Sequence, residues 1–382
     1  MIDQEKATAT EMVEAESLYS EPGSEIIKPF DPKKIDIQTK QMILEAIFRR
    51  LRNNEIDMNT EFQRRSDLWD KTKQSRLIES ILIRFPLPAF YFDGTNDNKW
   101  LVVDGLQRLS TFKNFIIDKT LTLQNLEYLN QFNGDSFDEL PRDLQRRIEE
   151  HEITVYIINP GTPAEVKYNI FRRINTGGLI LEPAEIRHAL NQGLPAEFVK
   201  ELADCNEFKE ATAHQISSAR MLDRDFVTRF LAFYLHPADE YKGNLEDYLN
   251  VVMGELQKTD ENQREKIRHD FRAAMMAAKQ IFGKNHAFRK QYRKNDNRKP
   301  LNKALFDVWS VSLAKLADAE RAVMVKQKEQ VLEEFMNTLN ADQDFEKSIS
   351  TGTGEKRSVT KRFDTIGDII KKILGHDKIP VH

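Results

Sequence analysis

Cysteine is almost missing from this chain: Cys205 stands alone in 382 residues. A single thiol excludes a disulfide framework and a Cys-rich zinc site, and no activating neighbours mark it as a nucleophile. Long apolar runs are missing too. No stretch approaches the roughly 18 residues that suggest a membrane span. The first residues are acidic rather than basic and then apolar, so the expected location is the cytoplasm. Neither sign of charge dominates: 57 Lys and Arg against 61 Asp and Glu leave a net charge of −4. Any nucleic-acid surface must therefore be local. No internal repeat shows. The eight histidines are scattered, with no H-E-x-x-H, H-N-H-type or Cys/His zinc spacing, and no metal site is expected from them. There is no G-x-S-x-G elbow. The Gly-containing stretch 348–358 is not a Walker A loop, which needs G-x-x-x-x-G-K-[ST] between a strand and a helix.

What is present is a folded chain, 40% hydrophobic and 31% charged, long enough for two or three domains. Its organising stretch runs from Lys99 to Phe115. Leu101, Val102 and Val103 read as a short buried strand. Asp104-Gly105 breaks it, because Gly reaches turn conformations closed to other residues. Leu106, Leu109, Phe112, Phe115 and Ile116 then recur at helical spacing. A strand, a tight Gly turn and a helix start present backbone N–H groups and the positive end of the helix dipole to an anion. Arg108 lies in that first turn, where its planar fork could grip a phosphate. Two readings stay open on geometry: a phosphate site at 104–111, or an ordinary strand–turn–helix with a solvent-facing Arg.

Around this centre the chain reads as α/β (α+β), a mixed-sheet domain followed by a helical one. Residues 1–30 carry seven acids against Lys6 and Lys28, which suits a flexible acidic tail or a DNA-mimicking, self-inhibiting arm. Residues 31–190 form the first domain. In it, Gln38–Leu51 suits a helix on Met42, Ile43, Ile47 and Leu51, closed by Arg49, Arg50 and Arg52. Thr72–Phe85 suits another, with Leu77, Ile78, Ile81, Leu82 and Phe85 on one face and Pro86 as its stop. Residues 89–103 read as a hairpin, so the sheet is partly antiparallel. Ile153–Ile158 is a strand. Thr162, Pro163 and Glu165 look like the N-cap, first turn and capping box of a helix running to Ile174. Asn175-Thr176-Gly177-Gly178 ends it, and Arg172, Arg173, Asn175 and Thr176 cluster there as a candidate site. Residues 191–382 form a mainly helical domain.

Four stretches resemble the DGQQR-motif family, named for the N-terminal domain of GmrSD-type modification-dependent restriction enzymes. Val103-Asp104-Gly105-Leu106-Gln107-Arg108-Leu109-Ser110-Thr111 is similar to its signature. Glu61-Phe62-Gln63-Arg64-Arg65 with Trp69 resembles its Q-R…W element. Ser80-Ile81-Leu82 with Phe85-Pro86-Leu87-Pro88 resembles its S-I-L…x-P-x-P element. Phe171-Arg172-Arg173-Ile174-Asn175-Thr176-Gly177-Gly178 with Leu181, Glu185 and Arg187 resembles its last element. The resemblance implies a ParB/sulfiredoxin-like fold and a nucleoside triphosphate, with Mg as a candidate companion. It implies phosphate contacts from Gln63, Arg64, Gly105, Arg108, Ser110, Thr111, Arg172, Asn175 and Thr176. Asp104, Gln107 and Arg108 become the catalytic candidates, and Asp104 with Glu185 could hold a metal or orient water. Leu106 stands where the family has Gln, so any hydrogen bond from that Gln to nucleotide or water is lost. Hydrolysis is therefore less supported than binding. GmrSD-type enzymes usually carry nuclease chemistry in a separate H-N-H-type domain, for which this chain shows no counterpart. That points to DNA and a separate nuclease or defence-system subunit as partners. The competing reading is a non-enzymatic DNA-binding or adaptor protein whose pocket senses a ligand or modified phosphate.

The last feature is basic. Residues 284–303 hold eight Lys and Arg against Asp296, interleaved with His286, Phe288 and Tyr292. Such a run can track a nucleic-acid backbone and stack bases, with Arg289, Lys290, Tyr292, Arg293 and Lys294 as its candidate contacts. It could equally be a solvated loop and helix end.

Overall fold

The computed structural model describes residues 12–18, 32–58, 69–174 and 182–375. The chain divides into two compact units, Pro29–Leu190 and Met1–Lys28 joined with Asn191–His382. The fold is mixed α/β in the first and helical in the second.

Among the described residues the sheet unit has five strands: β1 (Ile37–Ile43), β2 (Ile56–Asp57), β3 (Phe90–Asp93), β4 (Trp100–Asp104) and β5 (Glu152–Ile158). Their order is β1-β5-β3-β4-β2. The β1–β5 and β3–β4 pairs are antiparallel, and β3–β5 and β2–β4 are parallel. Among the described residues six α-helices accompany them: α1 (Leu44–Arg52), α2 (Lys71–Leu82), α3 (Leu106–Phe112), α4 (Arg142–Glu149), α5 (Ala164–Ile174) and α6 (Pro183–Leu190). Alternation along the strands decides which residues meet the core. Phe90, Phe92, Trp100, Val102, Ile153, Val155 and Ile157 pack with apolar residues of α1 to α4 in one cluster. After α3 the chain makes one wide π-type turn, Lys113–Ile117, which keeps Phe115 and Ile116 buried. The long connection after it is tied down by Glu79 of α2, 3% exposed. Its carboxylate accepts the backbone N–H groups of Glu127, Tyr128 and Leu129 at 2.7–3.0 Å.

The structure departs from the sequence expectations in four places. Residues 37–43 are an edge strand rather than the first turns of a helix. Ile37 to Ile43 pair with Ile158 back to Glu152, and that long-range ladder overrides the helical spacing. Helix α2 stops at Leu82 because Arg84 turns left-handed at φ +66°, leaving Phe85 55% exposed instead of on the buried face. Helix α5 begins at Ala164 with Pro163, not Thr162, accepting its first backbone bonds, and the Thr162 hydroxyl donates to the Asp36 carbonyl at 3.1 Å. The acidic N-terminal stretch, expected as a free tail, contains a packed segment. Val13 bridges to Leu301 and is 7% exposed.

The helical unit contains ten α-helices among the described residues. They are α7 (Leu194–Asp204), α8 (Asn206–Ala211), α9 (Leu222–Leu235), α10 (Leu245–Leu256), α11 (Glu261–Phe282), α12 (Lys303–Lys315), α13 (Asp318–Lys326), α14 (Lys328–Ala341), α15 (Gln343–Ser348) and α16 (Lys356–Leu374). One core joins them, with Phe226, Phe230, Phe271, Phe306 and Trp309 among its fully covered side chains. Among the described residues no helix is long and apolar enough to cross a membrane.

Candidate functional site

The turn at 104–108 is built as the sequence suggests in backbone and differently in side chains. Gly105 has φ +101°, where an L side chain is strained. A Cβ there would also lie 2.5 Å from Phe90 Cδ1, so both space and dihedral demand glycine. Helix α3 begins at the next residue, and its first-turn N–H groups have no partner one turn earlier in the helix.

Arg108 does not turn its fork outward. It is 7% exposed and lies over the Phe90 ring, 4.3 Å from the centroid. It donates to the Pro88 carbonyl, to the Ala89 carbonyl at 3.1 Å and to Asp104 Oδ2 at 2.9 Å. Burial lowers its pKa, and the Asp104 charge and hydrogen bond offset part of that. Where the sequence left a phosphate-gripping and a solvent-facing Arg open, three protein acceptors use the guanidinium here. Its place is inside the turn, bracing strand end, preceding loop and helix start. Asp104 is the more open member of the pair, with its side chain 35% exposed.

Gln107 Oε1 accepts the Trp69 N–H at 3.1 Å. Gln74 Nε2 donates to the Trp69 carbonyl at 2.6 Å, and Asn114 Nδ2 donates to Gln74 Oε1 at 3.2 Å. Two motif stretches well separated in sequence therefore meet through side-chain amides. Thr111 is fully buried and donates to the Gln107 carbonyl at 2.8 Å, so it stabilises the helix rather than facing a ligand. Leu106 is 8% exposed and belongs to the core cluster. Ser110 is half-buried on α3 and Arg172 is exposed near the end of α5. Gln63, Arg64, Asn175 and Thr176 lie outside the described residues. Glu185, 2% exposed, accepts the Glu182 N–H at 2.7 Å and closes the start of α6. Among the described residues, no group of three or more His, Cys, Asp or Glu side chains gathers as a metal site would require.

Two features of β3 had no sequence signal. Lys167 of α5 reaches both oxygens of Asp93 at 3.0 and 3.1 Å, with both side chains 9% exposed. The pair fastens α5 to β3. On the same face Tyr91 and Tyr156 stack, with centroids 4.7 Å apart and planes 14° from parallel. Tyr91 pairs in register with Asp104, so this half-buried aromatic pair adjoins the turn. Burial, and the neighbouring Tyr156 and Asp104, raise the Tyr91 pKa.

The basic stretch is not a uniform surface. Arg289 is 1% exposed and donates to the Ala287 carbonyl at 2.8 Å and Gln215 Oε1 at 2.9 Å. Burial and the nearby Arg298 push its pKa down to about 10. Its guanidinium is turned into the protein, away from the surface position that a DNA contact was expected to have. Lys290 is bound to Glu14 at 2.7 Å and to Ser350 Oγ at 2.8 Å. Tyr292 is half-buried, its hydroxyl 3.3 Å from Glu346. Burial, with Glu346 beside it, pushes its pKa up to about 12. Arg293 and Lys294 are exposed.

Residues 44–191 match the family described as GmrSD restriction endonuclease, N-terminal domain. That range contains all four of the motif stretches. No curated protein and no solved structure matches the chain.

Proposed function

We propose that this chain, whose residues 44–191 match the GmrSD N-terminal-domain family, is a restriction-type defence protein that acts on or near DNA and binds a nucleoside triphosphate at the 104–111 turn. The observation that carries the ligand part is the Gly105 turn. Its left-handed φ and its close approach to Phe90 set the α3 N-terminus beside an open Asp104. Backbone N–H groups at a helix start favour phosphate oxygens. Arg108 is a positioning residue in this reading, since its bonds to Pro88, Ala89 and Asp104 hold the turn. The base would lie toward the Tyr91–Tyr156 pair, because aromatic faces accept any base. Asp104, whose second oxygen is left for other partners, is the candidate to meet a companion Mg, carboxylate being the ligand that Mg prefers.

Binding is better supported than turnover. Leu106 is in the core and Arg108 is engaged by protein acceptors, so neither supplies a polar group to an attacking water. A ligand-sensing protein that recruits a separate nuclease fits these two observations as well as an NTPase does. Nucleotide chromatography after incubation with and without DNA separates the two. Diphosphate product supports the hydrolase. Retained but unconverted triphosphate supports the sensor. A triphosphate that is neither bound nor converted refutes the nucleotide reading.

A further inference from the structure

The helical unit holds a cleft lined by Lys, Arg, Asn and Thr donors, and the chain fills it with its own residues. Residues 12–18 lie along it as a strap. The Leu301 N–H donates to the Met12 carbonyl at 2.9 Å, and the Glu14 N–H to the Leu301 carbonyl at 2.7 Å. Thr353 and Gly354 donate to the Ser17 and Leu18 carbonyls at 3.0 and 2.8 Å. From Glu14 to Leu18 half-buried and exposed residues alternate, so Glu14 and Glu16 point the same way. Glu14 accepts from Lys290 Nζ at 2.7 Å and Asn302 Nδ2 at 2.8 Å. Glu16 takes a two-pronged grip from Arg229 at 2.9 Å each and a bond from Thr353 Oγ1 at 2.9 Å. Lys303 stands 3.9 Å away.

These donors converge from four elements. Arg229 belongs to α9, Lys290 to the 284–302 stretch, Lys303 to α12, and Thr353 to the loop before α16. Behind them Asp307 binds both Arg229 and Arg362, and Asp225 binds Lys303. Glu346, 36% exposed, lies 3.8 Å from Lys290. Without Glu14 and Glu16 the cleft holds Arg229, Lys290, Lys303 and Arg362 against those three acids, with two neutral donors unfilled. Four cations against three acids leave a net charge of +1, and the two carboxylates of the strap carry it to −1. They lie two residues apart in an extended chain, roughly 6.6 Å, a spacing that successive phosphates of an unstacked strand can reach. Arg229 is 2% exposed beneath the strap, so a ligand that reaches it must be a single extended chain that takes the place of residues 12–18.

We propose that this cleft binds the phosphate backbone of single-stranded nucleic acid, and that residues 12–18 occupy it in cis until such a strand displaces them. Anisotropy of a labelled single-stranded oligonucleotide on the full chain tests this at low salt. Replacing Glu14 and Glu16 together by Gln keeps the strap's shape and removes its charge. Binding should tighten at least about tenfold, and the log–log salt slope should steepen by about 1.4, two phosphates at about 0.7 each. Adding Lys290→Gln and Lys303→Gln should return both to the wild-type values. Hydrogen exchange on the wild-type chain gives a second reading that needs no variant. Saturating oligonucleotide should strip protection from the Glu14 amide, which is hydrogen-bonded to Leu301 in the docked strap. Unchanged affinity in a folded double variant would overturn the proposal, as would bound oligonucleotide with full protection at Glu14. An equal gain for a blunt duplex would overturn its assignment to a single strand.

Discussion

Replacing Arg108 by Ala should damage the fold of the sheet unit before it affects any ligand. The guanidinium is 7% exposed and serves two carbonyls and the Asp104 carboxylate. Each hydrogen bond to a charged group contributes about 1.5–3 kcal/mol, but the three are not additive. Breaking a buried pair by removing one partner costs about 3–5 kcal/mol. Asp104 is 35% exposed and recovers some hydration, which brings the expected loss to about 3 kcal/mol. Trp69 and Trp100 lie in the sheet unit and Trp309 in the helical unit. Trp fluorescence in a Trp309→Phe background therefore reports the sheet unit alone. At a urea m-value of about 2 kcal/mol per molar, the midpoint should fall by about 1.5 M. Arg108→Lys should rescue little, because one ammonium cannot span three acceptors. An unchanged midpoint for Arg108→Ala would refute the bracing role and restore a solvent-facing Arg.

Gly105→Ala should cost more than 1 kcal/mol from its dihedral alone. A Phe90→Leu background should relieve the steric part but leave that strain, as denaturation of single and double variants will show. Lys167→Met strands Asp93 in a buried site and should cost about 3–5 kcal/mol; adding Asp93→Asn should recover part of it, and a strictly additive cycle would deny the pairing. Glu16 gives a pH test. Burial alone would raise its carboxyl pKa, but Arg229 and Lys303 outweigh burial and hold it below the usual value. The unfolded state then takes up the proton first, so the stabilisation is complete above the unfolded value of about 4.3 and is lost as pH falls through the folded one. Urea midpoints of the helical unit, followed by Trp309, should lose that acid limb in Glu16→Gln; an identical pH profile would place Glu16 outside the network.

Local signals were legible and long-range ones were not. The strand, Gly turn and helix at 99–115 could be read because each depends on neighbours in sequence: β-branched residues, a glycine, then a spacing of three and four. The β3–β4 hairpin followed from its turn residues. The strand at 37–43 was hidden because its partner, β5, lies more than a hundred residues away, while Met42, Ile43, Ile47 and Leu51 continue a helical pattern across the boundary. Motif matching identified Arg108 but not its direction, which the Pro88 and Ala89 carbonyls decide. A run of like charges likewise does not say that Arg289 turns inward while Arg293 stays out. The Lys167–Asp93 pair and the Glu14 and Glu16 contacts are tertiary events with no local signature.

The central claim is that a nucleoside triphosphate binds at the 104–111 turn. Gln107→Glu tests it most directly. The carboxylate oxygen still accepts the Trp69 N–H, so the melting temperature should hold, while a negative charge now faces the incoming phosphates. Calorimetric titration with each nucleoside triphosphate and Mg should show saturable binding to the wild-type chain, weakened at least about tenfold, or 1.4 kcal/mol, in a folded Gln107→Glu variant. Equal affinity in both proteins, or no binding to the wild type, would contradict the account.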